Sequence, residues 1–191
     1  PGDEANLYQV QCLATSRDGI HFERQGMVVD TPPGMHHFRD PKVWREGDSW
    51  YMIVGAREGD TGQVRLYRSA DLRQWQDAGG LDEAESTMGY MWECPDFFTL
   101  NGKRVLMFSP QGMQAAGFSN RNLFQSGYLI GEWQPGQRFI RHGEFREMDN
   151  GHDFYAPQSF ATPDGRRIVI GWLDMWESPL PEQQDGWAGM L

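Results

Sequence analysis

The chain has 191 residues, and its 27 Asp and Glu outnumber 17 Lys and Arg, for a formal net charge of −10. Nucleic-acid binding rests on cations that neutralise phosphates, so this balance argues against a nucleic-acid partner. No run of 18 apolar residues occurs, so no membrane span is predicted, and the acidic start at residues 1–4 (PGDE) shows no apolar signal segment.

The length fits one ordinary domain or a piece of a larger one. Only two cysteines occur, Cys12 and Cys94, in neither a metal-type nor a disulfide-framework spacing, and there is no Asn-x-Ser/Thr acceptor. Both features lean toward a reducing compartment, and a bacterial cytoplasmic location is the expectation. Aromatic residues make up 13% of the chain, with 8 Trp, and 23 Gly and 11 Pro punctuate it. Many rings and many turns predict short strands with busy connections.

In chain order, apolar runs bounded by Gly, Asp or Pro predict strands at residues 50–55 (WYMIVG), 64–67 (VRLY), 104–108 (RVLMF) and 167–172 (RIVIGW). Residues 57–62 and 162–165 (TPDG) read as turns. Residues 82–86 come nearest to a helix and are read as a loop, so the fold class is all-β.

The chain also repeats itself. Pro41, Pro95 and Pro157 lie 54 and 62 residues apart, each precedes an apolar segment, and 14 residues after each comes a small residue, Gly55, Ser109 and Gly171. Ser16, Asp18 and Phe22 match Ser69, Asp71 and Trp75 at an offset of 53. One unit of about 55 residues therefore recurs about three times, slightly long for a four-stranded propeller blade. A β-sandwich also spaces its strands evenly, but the repeat favours the propeller. Three units cannot close a ring, and residues 187–191 (WAGML) read as the opening of another strand, so the chain is expected to be an internal piece of a longer protein. The missing blade faces would be covered by the rest of that protein or by self-association.

Each proline carries a polar cluster: His36, His37, Arg39 and Asp40 before Pro41, Glu93 and Cys94 before Pro95, and Asp153 and Tyr155 before Pro157. Equivalent positions of successive blades face one axis, so these groups are expected to converge. Converging carboxylates among aromatic rings suit glycoside chemistry, which needs a protonated acid for the leaving oxygen and a carboxylate for the oxocarbenium-like centre. Each residue also has a plainer reading. Asp40 is a common turn starter before proline. Glu93 sits between Trp92 and Cys94, an apolar setting that would raise its pKa as a general acid requires. His36 and His37 read as loop or cleft-rim residues rather than metal ligands, Trp172 and Tyr155 as core or cleft, and Cys94 as a small buried hydrophobe.

At these residues the sequence resembles glycoside hydrolase family 32, whose members act on β-fructofuranosides. The family's Arg-Asp-Pro stands at Arg39, Asp40 and Pro41, its Glu-Cys at Glu93 and Cys94, its Asp-Phe-Tyr-Ala-Pro-Gln at residues 153–158 and its Gly-Trp at Gly171 and Trp172. The resemblance covers essentially the whole chain. It implies about three blades of a five-bladed β-propeller, with residues 1–191 an incomplete catalytic domain lacking the first blade, the last blade and a C-terminal β-sandwich. It also implies a retaining mechanism without metal or organic cofactor. Asp40 then stabilises the transition state, Glu93 is the acid/base, Cys94 helps set its environment, and Arg39, Asp153, Tyr155 and Trp172 bind the sugar or orient Glu93. The family's nucleophile motif, containing Asn-Asp-Pro, occurs nowhere in the chain. The isolated chain is therefore expected to turn over negligibly, and a non-catalytic carbohydrate-binding propeller is the alternative. Sucrose, sucrose 6-phosphate and fructans stay open as substrates.

Overall fold

The computed structural model describes residues 7–85, 87–175, 177 and 184–186. The segment at 187–191 and Ser86 lie outside the described residues. Four antiparallel sheets follow one another along the chain. The first is a pair, β1 (Gln11–Ser16) with β2 (Phe22–Val29). The second is a four-stranded meander, β3 (Met35–Glu46), β4 (Ser49–Glu58), β5 (Thr61–Ser69) and β6 (Trp75–Glu83). The third runs β7 (Met91–Leu100), β8 (Lys103–Gln111), β9 (Gly127–Glu132) and β10 (Ile140–Arg141), with β11 (Arg146–Glu147) also on β9. The fourth is the pair β12 (Tyr155–Ala161) and β13 (Arg167–Trp172). The leading strands of the third and fourth sheets pack on the leading strand of the sheet before, β7 on β3 and β12 on β7. Meanders stacked in this way form a partial β-propeller, which among the described residues has two larger sheets between two strand pairs.

Sheets packed on both faces need strands apolar on both faces, which is why WYMIVG reads as a continuous run rather than an alternation. Along β4, Tyr51 and Ile53 point into a core shared with Trp92 and Phe97 of the third sheet and with Trp133, which follows β9. The alternate residues Met52, Val54 and Ala56 point the other way, onto Met35, Phe38 and Tyr67. Full burial of one such side chain contributes about 1.5–3 kcal/mol. Rings fill the wedge between the second and third sheets: Trp133 lies 5.3 Å from Tyr51 and 5.6 Å from Phe97, and Trp92 stacks on Phe108 at 4.0 Å. Near the axis the sheets come closer still. A Cβ on Gly55 would lie 2.2 Å from the carbonyl oxygen of Trp92, so only glycine lets β4 run against β7 there.

The repeated Ser-x-Asp signature folds into the same turn twice. Ser16 Oγ accepts from the amide of Gly19 and Asp18 Oδ1 from those of Ile20 and His21; Ser69 Oγ accepts from Leu72, and Asp71 Oδ1 from Arg73 and Gln74, all between 2.8 and 2.9 Å. Each turn closes an outer hairpin of its blade.

Two details differ from the sequence expectation. Asp82 and Glu83, read as loop, end β6: Asp82 pairs with Val64, and Arg141 of the next sheet donates to both its carboxylate oxygens at 2.8 Å. The turn read over 57–62 shrinks to Gly59 and Asp60, because β4 runs to Glu58 and β5 starts at Thr61. The third unit is longer than the second because residues 112–126 carry no strand and its outer edge is split into β10 and β11.

Candidate active site

The three prolines mark one repeated backbone irregularity. Against two residues on the second strand of the sheet, the leading strand places three: Arg39 pairs with Gly55 and Lys42 with Ile53, Glu93 with Ser109 and Asp96 with Met107, Tyr155 with Trp172 and Gln158 with Ile170. Each is a β-bulge with the residue before proline in the left-handed region, Asp40 at φ 64°, Cys94 at 49° and Ala156 at 51°. Non-glycine residues pay of order 1–3 kcal/mol to stand there and do so where their surroundings over-determine them. Proline follows naturally, since the bulge needs no ladder hydrogen bond at that position.

The bulge aims the residue two before each proline at the same place. Arg39, Glu93 and Tyr155 come from three sheets and lie 54 and 62 residues apart. Their side chains meet. Arg39 donates to Glu93 Oε1 from Nε at 2.9 Å and Nη2 at 2.5 Å. Glu93 Oε2 accepts from the Tyr155 hydroxyl and from Gln111 Nε2 at 2.9 Å. Asp40 is next to this group: its Oδ2 lies 3.9 Å from Arg39 Nε and accepts from the Cys94 amide at 3.0 Å and the Cys94 thiol at 3.5 Å. The two carboxylates therefore share one guanidinium. Asp40 is 31% exposed and Glu93 14%, so neither carboxylate is sealed in the core.

The electrostatics keep two neighbours neutral. Burial, then the negative charge of Glu93, pushes the Tyr155 phenol well above its ordinary range, so it is an O–H donor to Glu93. Burial, then the charges of Asp40 and Glu93, likewise pushes the Cys94 thiol up, so Cys94 is an S–H donor to Asp40 rather than a nucleophile.

The remaining sequence candidates fall around this centre. Trp172 pairs in register with Tyr155 and packs against the small core of Phe124, Tyr155 and Met175. Asp153 lies 3.7 Å from His152, and among the described residues it makes no hydrogen bond or ion pair with Arg39, Glu93 or Tyr155. The setting of Glu93 is not the apolar one its sequence neighbours suggest. Strand alternation turns Trp92 into the core, and the carboxylate finds donors from other sheets instead. His37 stands in β3 rather than in a loop. It is buried and its Nδ1 lies 2.7 Å from Arg39 Nη1; a guanidinium cannot accept, so that nitrogen is the unprotonated one. Sequence reasoning also missed Gln111, Lys42, Asp96 and Gln158. The last three are the residues directly after the three prolines, a signal present in the repeat.

Fold and site together define a partial β-propeller with two carboxylates from successive sheets at its axis. Residues 2–191 match the family model described as the Glycosyl hydrolases family 32 N-terminal domain, and the chain belongs to that family. It is 60% identical over 191 residues to a sucrose-6-phosphate hydrolase of Escherichia coli and 54% identical to a raffinose invertase of Escherichia coli, covering 100% of this chain and 40% of each relative. Among solved structures, the GH32 beta-fructofuranosidase of Bombyx mori, a mutant of which is solved in complex with sucrose, superposes with a TM-score of 0.89 at 44% identity, covering 94% of this chain and 39% of that one. The chain thus spans about two fifths of the length of the relatives it matches.

Proposed function

We propose that the protein hydrolyses β-fructofuranosides of the sucrose type with retention of configuration. Glu93 is the acid/base. It protonates the leaving oxygen and later takes a proton from water, while Arg39, Gln111 and Tyr155 hold the carboxylate in place for both steps. Asp40 binds fructose hydroxyls and offsets the positive charge that develops at the anomeric carbon. Its bond to the Cys94 amide fixes the direction in which it does so. Asp153 and Trp172 bind the sugar, and Cys94 helps set the environment of the acid/base. Double displacement needs a second carboxylate about 5–5.5 Å from the acid, on the opposite face of the sugar. No Asn-Asp-Pro occurs in these 191 residues, so the nucleophile belongs to a part of the propeller outside them, and the isolated chain has negligible turnover.

One observation carries the reading: two carboxylates from successive sheets touch the same Arg39 guanidinium at a partly exposed position on the axis. A carbohydrate-binding propeller would use the same pocket without turnover. Assaying sucrose and sucrose 6-phosphate with the full-length protein and with residues 1–191 alone separates these cases. Release of fructose by the full-length protein only is the expected result. Turnover by residues 1–191 alone at an ordinary glycosidase rate would overturn the assignment of the nucleophile, and none from the full-length protein would favour the binding module.

A further inference from the structure

Below the Arg39, Glu93 and Tyr155 group, on the other side of the three prolines, the same repeat places Lys42, Asp96 and Gln158. These side chains also meet. Lys42 Nζ donates to Asp96 Oδ2 at 3.2 Å, to Gln158 Oε1 at 3.2 Å and to the Ser159 carbonyl at 2.7 Å. Asp96 Oδ2 accepts in addition from the Ser159 amide at 2.7 Å and its hydroxyl at 2.6 Å. Gln158 Nε2 returns to the Cys94 carbonyl at 2.9 Å. A single ammonium thereby binds the leading strands of the third and fourth sheets from the second.

We infer that Lys42 and Asp96 are positioning residues, which set the aim of Asp40 and Glu93 through the bulges between the two polar groups. The inference rests on the acid/base reading of Glu93. Cys94 stands in a conformation that persists only where its surroundings impose it, and Gln158 holds its carbonyl while Asp40 takes its amide. Once the lower group is loosened, the Cys94 peptide can turn, and with it the Asp40 carboxylate and the adjoining Glu93.

Stability alone is a poor reason for this arrangement. Asp96 is fully buried, and its Oδ1 has no hydrogen-bond partner among the described residues. A buried ion pair can often be replaced by apolar residues without loss of stability, so a pair kept with an unsatisfied oxygen points to geometry as its use.

The test uses the full-length protein, with sucrose and with a nitrophenyl β-fructofuranoside, whose leaving group needs little protonation. Lys42→Met and Asp96→Asn are expected to lower kcat on sucrose by about 100-fold, the scale of an ångström-sized misplacement, and to lower it much less on the activated substrate. Lys42→Met leaves the buried Asp96 carboxylate without its cation and is expected to lower the melting temperature, so kcat is taken per folded molecule, and Lys42→Arg should restore most of the sucrose rate. A loss that tracks the folded fraction, or no loss, would overturn the positioning role, and an equal loss on both substrates would overturn its action on Glu93 and confine it to Asp40. Glu93→Gln is measured beside them: if it shows no dependence on the leaving group, the acid reading of Glu93 fails on its own account. Should Lys42→Met not fold, Gln158→Met carries the same test, because it removes the bond to Cys94 and leaves Lys42 and Asp96 paired.

Discussion

The second and third sheets are joined in two different ways. Away from the axis they meet through rings, with Trp133 wedged among Trp44, Tyr51 and Phe97. At the axis they meet through ions and hydrogen bonds, Arg39 on Glu93 and Lys42 on Asp96, beside left-handed residues that carry strain. The apolar joint lowers the free energy of the fold. The polar joint gains less, since desolvation offsets much of the ionic attraction, but it holds charges in directions that apolar contacts cannot specify. Changes at the first joint should therefore act on stability alone, and changes at the second on turnover as well.

The sharpest division comes from Glu93→Gln in the full-length protein. Loss of a general acid is expected to cut kcat about 10²- to 10⁴-fold, least for good leaving groups, with the melting temperature nearly unchanged. A uniform loss across leaving groups would remove Glu93 from the acid role. The mirror-image change is Trp133→Ala. It empties a ring-lined space at a residue 5% exposed and should cost about 3–5 kcal/mol of stability, read by denaturant unfolding, while kcat per folded molecule holds. A fall in kcat there would show that the two joints are not separable. Asp40→Asn should then lower kcat by about 10²-fold and raise KM less, since the charge it supplies matters most as the sugar becomes cationic. A change confined to KM would make Asp40 an ordinary binding residue.

The same division explains what was legible in the sequence. The apolar joint follows from local pattern: WYMIVG lies within β4 because a strand covered on both faces must be apolar throughout, while the run at 167–172 coincides with β13 although Val169 and Ile170 stay exposed. Arg39, Asp40, Glu93 and Tyr155 are readable as motif residues, and the proline repeat brings them to one axis. Their partners are harder to read. Glu93 appears apolar from Trp92 and Cys94, yet alternation sends Trp92 away and brings donors from 18, 54 and 62 residues distant. The left-handed bulges escape notice because Asp, Cys and Ala before proline carry no glycine signal. Asp82 reads as loop because its strand pairing and its partner Arg141 lie far along the chain.

The smallest expected effect lies farthest from both joints, in the twin turns. Asp18 and Asp71 bind the same amides of the same turn, but the third residue on is His21 in one and Gln74 in the other. His21 Nδ1 lies 2.7 Å from Asp18 Oδ2, and this contact is the largest cause holding the Asp18 carboxyl well below its ordinary range. Asp71 is also lowered, chiefly by the amides of Gln74 and Arg73. A carboxyl lowered on folding stabilises the protein fully above its unfolded pKa near 3.9, and that contribution is lost as the pH falls toward the folded value. Acidification from pH 6 to pH 3 should therefore lower the melting temperature of the parent. Asp18→Asn keeps an acceptor for the turn amides but cannot titrate, so it should flatten that dependence, and Asp71→Asn should flatten it less. Both residues are exposed, so the differences will be small and are best read from paired melts at each pH. Equal flattening by the two variants would mean that His21 adds nothing to a turn whose backbone geometry is otherwise the same in both blades.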